Sequence, residues 1–181
     1  MKRKATHFFI MALLVSLLTT LCGCMSSGNA SRTIPVVENF DVARYMGTWY
    51  EIARLPQWFE RNMNEVKAEY TLQEDGTVKI VNSGIKDGEI KRVEGVARFK
   101  GWKKIGSLEV SFNKHFYSDY RIIRLAEDYH YAIVTSKTKD ALWILSRKPQ
   151  LSQAELDKIL SFVLALDFDI SRLEYPQQTA K

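Results

Sequence analysis

Both cysteines of the chain lie within its first 24 residues, and their setting limits the chemistry open to them. Basic residues 2–4 precede an apolar run of roughly fifteen residues, which is shorter than a membrane-spanning helix of about twenty. The run ends in LCGC at residues 21–24. Leu21 and Gly23 before Cys24 are typical of a bacterial lipoprotein signal, in which a small residue precedes the cleaved bond. We therefore predict that residues 1–23 are removed and that the thiol of Cys24 is acylated.

Cys22 is a rival acceptor, but Leu21 directly before it is a poor residue for that peptidase. An ordinary secretory signal cut nearby, or a short N-terminal anchor, are the alternatives to lipidation.

Few other side chains suggest chemistry. His7 leaves with the signal, and His115 and His130 lack the spacing of metal ligands. No Ser/His/Asp order, phosphate-binding glycine loop or paired acids stand out. We expect no catalytic residue, no metal and no cofactor, with an enzyme as the least favoured alternative.

The formal net charge is +5, from 26 Lys and Arg against 21 Asp and Glu. Removing residues 1–23 takes away three cations and no acids, which leaves +2. A near-neutral domain lacks the electrostatic surface for nucleic acid, so no such partner is predicted. Without cysteines the domain has no disulfide and is held together by packing.

The periodicity changes along the chain. After a polar tether at residues 24–38, eight short segments alternate or run apolar, with turn signals such as Asp87-Gly88 between them. They are 49–54, 66–72, 77–83, 90–99, 107–112, 120–125, 131–135 and 142–146. Ser152 and Glu155 then form a capping box, and apolar residues recur at helical spacing up to Leu166. This order predicts an all-β fold, an eight-stranded antiparallel up-and-down barrel with one C-terminal α-helix packed outside. A sandwich with a trailing helix is the alternative.

Two segments resemble signatures of the lipocalin family. GTWYEIAR at residues 47–54 resembles its Gly-x-Trp strand, and LSR at residues 145–147 resembles its terminal arginine. The second signature is degenerate, since AEDY at residues 126–129 lacks Thr-Asp-Tyr. The similarity is greatest to the bacterial outer-membrane lipoproteins and apolipoprotein D, and it places the domain at residues 39–176 with a tail at 177–181. It implies that Gly47, Trp49 and Arg147 close the barrel floor, where a guanidinium over an indole contributes about 0.5–2 kcal/mol.

With Trp49 at the floor, connections 55–64, 85–88, 113–118 and 136–140 lie at the open mouth. Strand alternation then directs one set of side chains inward. The expected ligand-binding residues are Ala53, Tyr70, Asn82, Phe112, Tyr120 and Trp143. Three of them, Tyr70, Asn82 and Trp143, match ligand contacts that the resemblance to apolipoprotein D implies. The small residues Ala53, Ala68, Gly95 and Ala97 favour an open cavity over an interior filled by aromatic side chains.

These features predict a membrane-anchored carrier that holds a fatty acid or a lysophospholipid in its barrel, in envelope lipid storage, transport or repair. Its partners are that ligand and the membrane that receives the Cys24 lipid. Met25, which is not Asp, implies the outer membrane, with the protein facing the periplasm. A structural lipoprotein without a ligand, contacting another protein through Trp58 and Phe59, is the alternative. The oligomeric state is left open, a homodimer included.

Charged residues at the mouth give a modest cationic excess that would steer an anionic head group. The cations are Arg54, Arg61, Lys86, Lys114, Lys137 and Lys139, and the acids are Glu60, Glu65, Asp87 and Asp140. A solvated rim of mixed charge without a role in recognition is the alternative.

Overall fold

The computed structural model of the protein describes residues 34–179. The expected signal peptide, Cys24 and residues 25–33 of the tether lie outside this range, as do residues 180–181. None of the helices within residues 34–179 has the length and apolarity needed to cross a membrane.

Eight antiparallel strands pair in sequence order, and the last returns to the first to close a barrel. They are β1 (Gly47–Arg54), β2 (Asn64–Leu72), β3 (Val78–Lys86), β4 (Glu89–Phe99), β5 (Ser107–Ser111), β6 (Ser118–Leu125), β7 (Tyr131–Thr135) and β8 (Leu142–Ser146). The predicted barrel is confirmed. At the β3–β4 turn, Asp87 and Gly88 have φ values of 53° and 79°, the left-handed conformation that such a hairpin requires.

The C-terminal α-helix lies on the outer surface of the barrel. Residues 34–179 contain three helical elements: α1 (Val42–Tyr45), α2 (Gln153–Ala165) and the 3₁₀ helix η1 (Ile170–Arg172). The predicted capping box is present, because the Ser152 hydroxyl accepts from the Glu155 amide and the Glu155 carboxylate accepts from the Ser152 amide. Ile159 and Val163 are buried in a cluster that includes Ile133 and Ile144 from the outer barrel face. Burial of this apolar face holds α2 in place.

A segment before β1, for which we made no prediction, closes the floor. Asp41 caps α1 through its carboxylate, which accepts from the amides of Ala43 and Arg44. Phe40 and Tyr45 are buried in the cluster that fills the barrel interior. The floor is therefore covered by a helical turn and its aromatic side chains.

The C-terminal segment completes the barrel wall between β1 and β2. These strands pair directly only over residues 47–50 and 67–70. Nearer the mouth, Glu174 pairs with Arg54, and the Gln178 side-chain amide donates to the carbonyls of Glu51 and Val66. We assigned residues 177–179 to a tail, but the Gln178 side chain is hydrogen-bonded into the barrel wall.

A bulge in β1 changes which side chains face inward. Glu51 lies opposite Leu145, but the register shifts there, so that Ala53 lies opposite Ile144 and Arg54 opposite Trp143. Leu145 belongs to the interior cluster and Ile144 to the cluster beneath α2. Arg54 is consequently turned into the barrel wall on the inner side, and Ala53 faces outward.

Candidate functional site

The floor of the barrel is held by an arginine stacked on a tryptophan. The Arg147 guanidinium carbon lies 3.9 Å from the Trp49 ring centroid. Its nitrogens donate to the carbonyls of Thr48 at 2.9 Å and Arg44 at 2.8 Å. Gly47 has a φ of 93°, which an L side chain adopts only with strain. The structure thus brings Gly47, Trp49 and Arg147 together, and their contacts join β1, β8 and α1.

Three tyrosine hydroxyls form a chain above this floor. Tyr120 bonds to Tyr45 at 2.8 Å and to Tyr70 at 3.0 Å. Burial raises the pKa of Tyr70 to about 12, so its hydroxyl stays protonated and remains able to donate. The adjoining cavity has a volume of about 20 Å³. This is space for about one water molecule, so the lower lumen is filled by side chains.

Nearer the mouth, the inner face is open. Asn82 lies opposite Ala68 on one side and Val93 on the other, and Ala68 belongs to the interior cluster. Val93 is nevertheless 46% exposed and Phe112 is 42% exposed, while Asn82 is half-buried. The Asn82 side-chain oxygen is buried without a hydrogen-bond partner. Apolar inner side chains that remain accessible to solvent define an unfilled upper lumen.

Phe112 owes its position to a glycine on the neighbouring strand. A Cβ at Gly95 would lie 2.6 Å from the nearest ring carbon of Phe112. Only glycine therefore allows this ring to lie flat against β4.

A buried charged cluster forms the wall beside Trp143. The Arg54 guanidinium donates to Glu51 Oε1 at 2.5 Å, to Glu174 Oε2 at 3.0 Å and to the Glu60 carbonyl at 2.8 Å. Trp143 Nε1 donates to Glu60 Oε2 at 3.1 Å. The Glu60 bonds tie the first mouth loop to β1 and β8.

Burial in this cluster changes the protonation of two of its carboxyl groups, those of Glu51 and Glu60. Burial, reinforced by the nearby Glu60 charge, raises the pKa of Glu51 to about 8. Burial also raises the pKa of Glu60. At neutral pH the cluster therefore retains a proton that exposed carboxyl groups would have lost.

The sequence placed three of these residues wrongly. Arg54 and Glu60, expected on the solvated rim, are only 2% and 7% exposed. Ala53, expected to line the lumen, lies in the cluster beneath α2. The β1 bulge is the cause for Ala53 and Arg54, since one inserted residue reverses the later side chains of the strand. Glu60 lies in the β1–β2 loop and is held inward by its bonds to Arg54 and Trp143. Glu51 was the available signal in the sequence. Strict alternation from Trp49 turns its carboxyl group inward, and a buried carboxylate needs a nearby cation.

The other expected ligand residues lie on the inner side of the barrel. Tyr70 and Tyr120 are at the boundary between the filled and open parts, with Asn82 and Trp143 above them. The geometry is that of a barrel with a closed floor and an apolar upper chamber, which suits one small apolar ligand.

Comparison with known proteins agrees with this class. Residues 40–178 match the family model described as a lipocalin-like domain. The chain is 40% identical over 155 residues to the outer membrane lipoprotein Blc of Escherichia coli K12, covering 84% of this chain and 88% of that protein. It is 35% identical over 184 residues to apolipoprotein D of Rattus norvegicus, covering 96% of each. The chain belongs to the lipocalin family.

Solved structures support the fold. Insecticyanin from the tobacco hornworm Manduca sexta superposes with a TM-score of 0.66, covering 81% of this chain and 85% of that chain. At 22% identity, this likeness concerns the fold alone.

Proposed function

We propose that this protein is a membrane-anchored lipid carrier, not an enzyme, which holds a fatty acid or a lysophospholipid by its acyl chain. The observation that carries the proposal is the apolar upper lumen, where Val93 and Phe112 face inward yet remain accessible. An acyl chain entering there covers these side chains and ends above the packed Tyr70 and Tyr120.

The energetics of an acyl ligand are favourable. Each methylene group transferred from water contributes about 0.8 kcal/mol, so ten contribute about 8 kcal/mol before ordering costs. About 8 kcal/mol corresponds to micromolar affinity, so an acyl chain longer than ten methylene groups keeps micromolar affinity after those costs are subtracted.

The charged cluster indicates which end of the ligand enters. Glu51, Glu60 and Glu174 surround the single Arg54, so the wall offers an anionic head group no free cation. A charge brought inside without a partner costs several kcal/mol. The acyl chain therefore enters first and the head group stays in water at the mouth.

Binding is tested by titrating the full-length protein with a fatty acid that displaces an apolar fluorescent probe. Trp143→Ala is expected to weaken fatty-acid affinity about tenfold, because the indole lies on the open inner face. Trp102→Ala, at an exposed site on the β4–β5 connection, is the matched control and should bind normally. No uptake of probe or fatty acid by the native protein would instead support a lipoprotein without a ligand.

The anchoring part of the proposal rests on the chain itself and on its relatives. Residues 1–23 form the signal, and the lipid lies on Cys24 at the start of the tether that leads to the domain. Relatives with the name outer membrane lipoprotein Blc support the outer membrane as the location, and Met25 is compatible with it. Cys24→Ala should remove both the acyl mass and the membrane association, as measured by mass spectrometry and fractionation. A variant that keeps both would overturn the anchor.

A further inference from the structure

The mouth of the barrel carries exposed apolar side chains at three of its four hairpin ends. In the β1–β2 loop Trp58 is 83% exposed and its neighbour Phe59 48%. At the start of β4 Ile90 is 79% exposed, and in the β5–β6 loop Phe116 is 77% exposed. Large apolar side chains gathered at one end of a protein mark an interaction surface.

The same end is cationic. Arg61, Lys86, Lys114 and Lys137 form no salt bridge with any residue in 34–179. Of the nearby acids, Glu89 pairs with Lys91 and Glu65 accepts from the Thr179 amide, while Asp87 and Asp140 partly offset the cations. Lysine and arginine beside tryptophan and phenylalanine are the residues that favour an anionic membrane surface. We call these four cations, together with Trp58, Phe59, Ile90 and Phe116, the mouth rim.

The first described residues of the chain lie within reach of this end for the expected anchor. Followed backwards from Phe40 to Ile34, the chain runs from the floor along β6. The Phe40 amide donates to the Lys104 carbonyl, and the Val37 amide donates to the Ile122 carbonyl. The Ile34 carbonyl accepts a hydrogen bond from the Arg121 guanidinium. Arg121 is three residues from the mouth end of β6, about 10 Å. The ten residues from Cys24 to Ile34 have a maximum extended length of about 35 Å, which is long enough for a lipid on Cys24 to reach the plane of the mouth.

We propose that the mouth rim docks on the surface of an anionic lipid bilayer, so that the lumen opens directly toward the lipids. The apolar side chains enter the boundary between head groups and acyl chains, and the cations contact anionic head groups. A bound acyl chain then exchanges with the bilayer without crossing bulk water. The docking rests on the proposed Cys24 anchor for the choice of membrane, and it does not depend on the identity of the carried lipid.

The test uses full-length protein reconstituted into vesicles of phosphatidylethanolamine and phosphatidylglycerol with brominated acyl chains. Bromine quenches a tryptophan that enters the apolar region. Trp58→Phe should remove most of the quenching, whereas Trp102→Phe should leave it unchanged. Trp102 is a matched control, because it is 76% exposed but lies on the β4–β5 connection at the floor. Replacing phosphatidylglycerol by phosphatidylcholine, or raising the salt concentration, should lower the quenching several-fold.

Several results would overturn the docking. Quenching that persists in Trp58→Phe, or that Trp102→Phe abolishes, would place another surface on the bilayer. Protein held on vesicles without any quenching would show that only the anchor binds, and cross-linking of two mouths would assign the rim to a second copy. Fatty-acid titration of the native protein in detergent separates the proposals. Native protein that takes up fatty acid but shows no quenching on vesicles sinks only the docking, and quenching without uptake sinks only the carrier.

Discussion

At the scale of single residues, Arg54 determines the character of the lumen wall. Its guanidinium is the shared partner of Glu51 and Glu174 and also holds the Glu60 carbonyl. Removing one partner from such a buried pair leaves an uncompensated charge, which costs more than the pair itself contributes. The wall is therefore sensitive to the protonation of Glu51.

Glu51→Gln should change how stability depends on pH. The pKa of Glu51 is raised from 4.5 to about 8, so the folded state binds its proton more tightly than the unfolded state. Its contribution to stability is complete below pH 4.5 and is lost as the pH rises to about 8. Relative to the variant, the native protein should lose about 2–4 kcal/mol across this window.

Urea unfolding at several pH values measures this difference. Glu69→Gln, at an exposed carboxyl on β2, is the control and should keep the native pH profile. Parallel profiles for the native protein and Glu51→Gln would show that Glu51 is ionised throughout.

Trp49→Ala should act on stability and leave the upper lumen intact. The ring is fully buried between Arg147 and Tyr45, so its removal leaves a cavity and an unstacked guanidinium. The expected loss is about 3–5 kcal/mol in the free energy of unfolding. The folded fraction should still bind fatty acid within about threefold of the native affinity, since the open chamber lies higher. A loss of binding with unchanged stability would contradict the assignment of Trp49 to the floor.

At the scale of elements, the C-terminal segment acts as a partial ninth strand. It fills the upper gap between β1 and β2, where those two strands do not pair. The Glu65 amide donates to the Gln177 carbonyl, and the Gln178 side chain bridges the strands on either side. The segment thereby satisfies backbone groups that a gap in the wall would leave unpaired.

Gln178→Ala should weaken the wall at this place. Loss of both donated bonds leaves the Glu51 and Val66 carbonyls without these donors, at a cost of about 1–3 kcal/mol. Hydrogen exchange should then accelerate at the amides of Arg54 and Glu65, which bond to this segment. Gln73→Ala is the matched control, because its side chain donates to the nearby Thr71 carbonyl at the floor end of β2, away from this segment. Unchanged exchange in Gln178→Ala would show that the backbone pairing alone holds the segment.

At the scale of the whole molecule, polarity is arranged along the barrel axis. The floor is packed with aromatic side chains, the upper lumen is apolar, and the mouth carries Arg61, Lys86, Lys114 and Lys137, which form no salt bridge within residues 34–179. The positive potential at the mouth attracts anions to the entrance, and the apolar lumen does not draw them in.

Salt should therefore affect the association rate of a fatty acid more than its affinity. The rate should fall several-fold from low to high salt, whereas the matched neutral alcohol should associate equally fast at both. Lys114→Gln should slow the acid at low salt, and Lys158→Gln on the exposed face of α2 should not. Stopped-flow fluorescence measures both rates. Equal rates for acid and alcohol at every salt concentration would leave the rim without a role in capture.

The sequence by itself determined the strands, the Asp87-Gly88 turn and the capped helix. These depend on local propensity and on alternation within one element, which neighbouring residues encode. The meeting of Trp49 with Arg147 was implied by the resemblance to the lipocalin signatures. Only the tertiary structure decided the rest. The β1 bulge exchanged Ala53 and Arg54 between the two faces, residues 40–45 filled the floor, and Gln178 closed the wall. Each depends on partners distant in the chain, whose packing and hydrogen bonds override the local period.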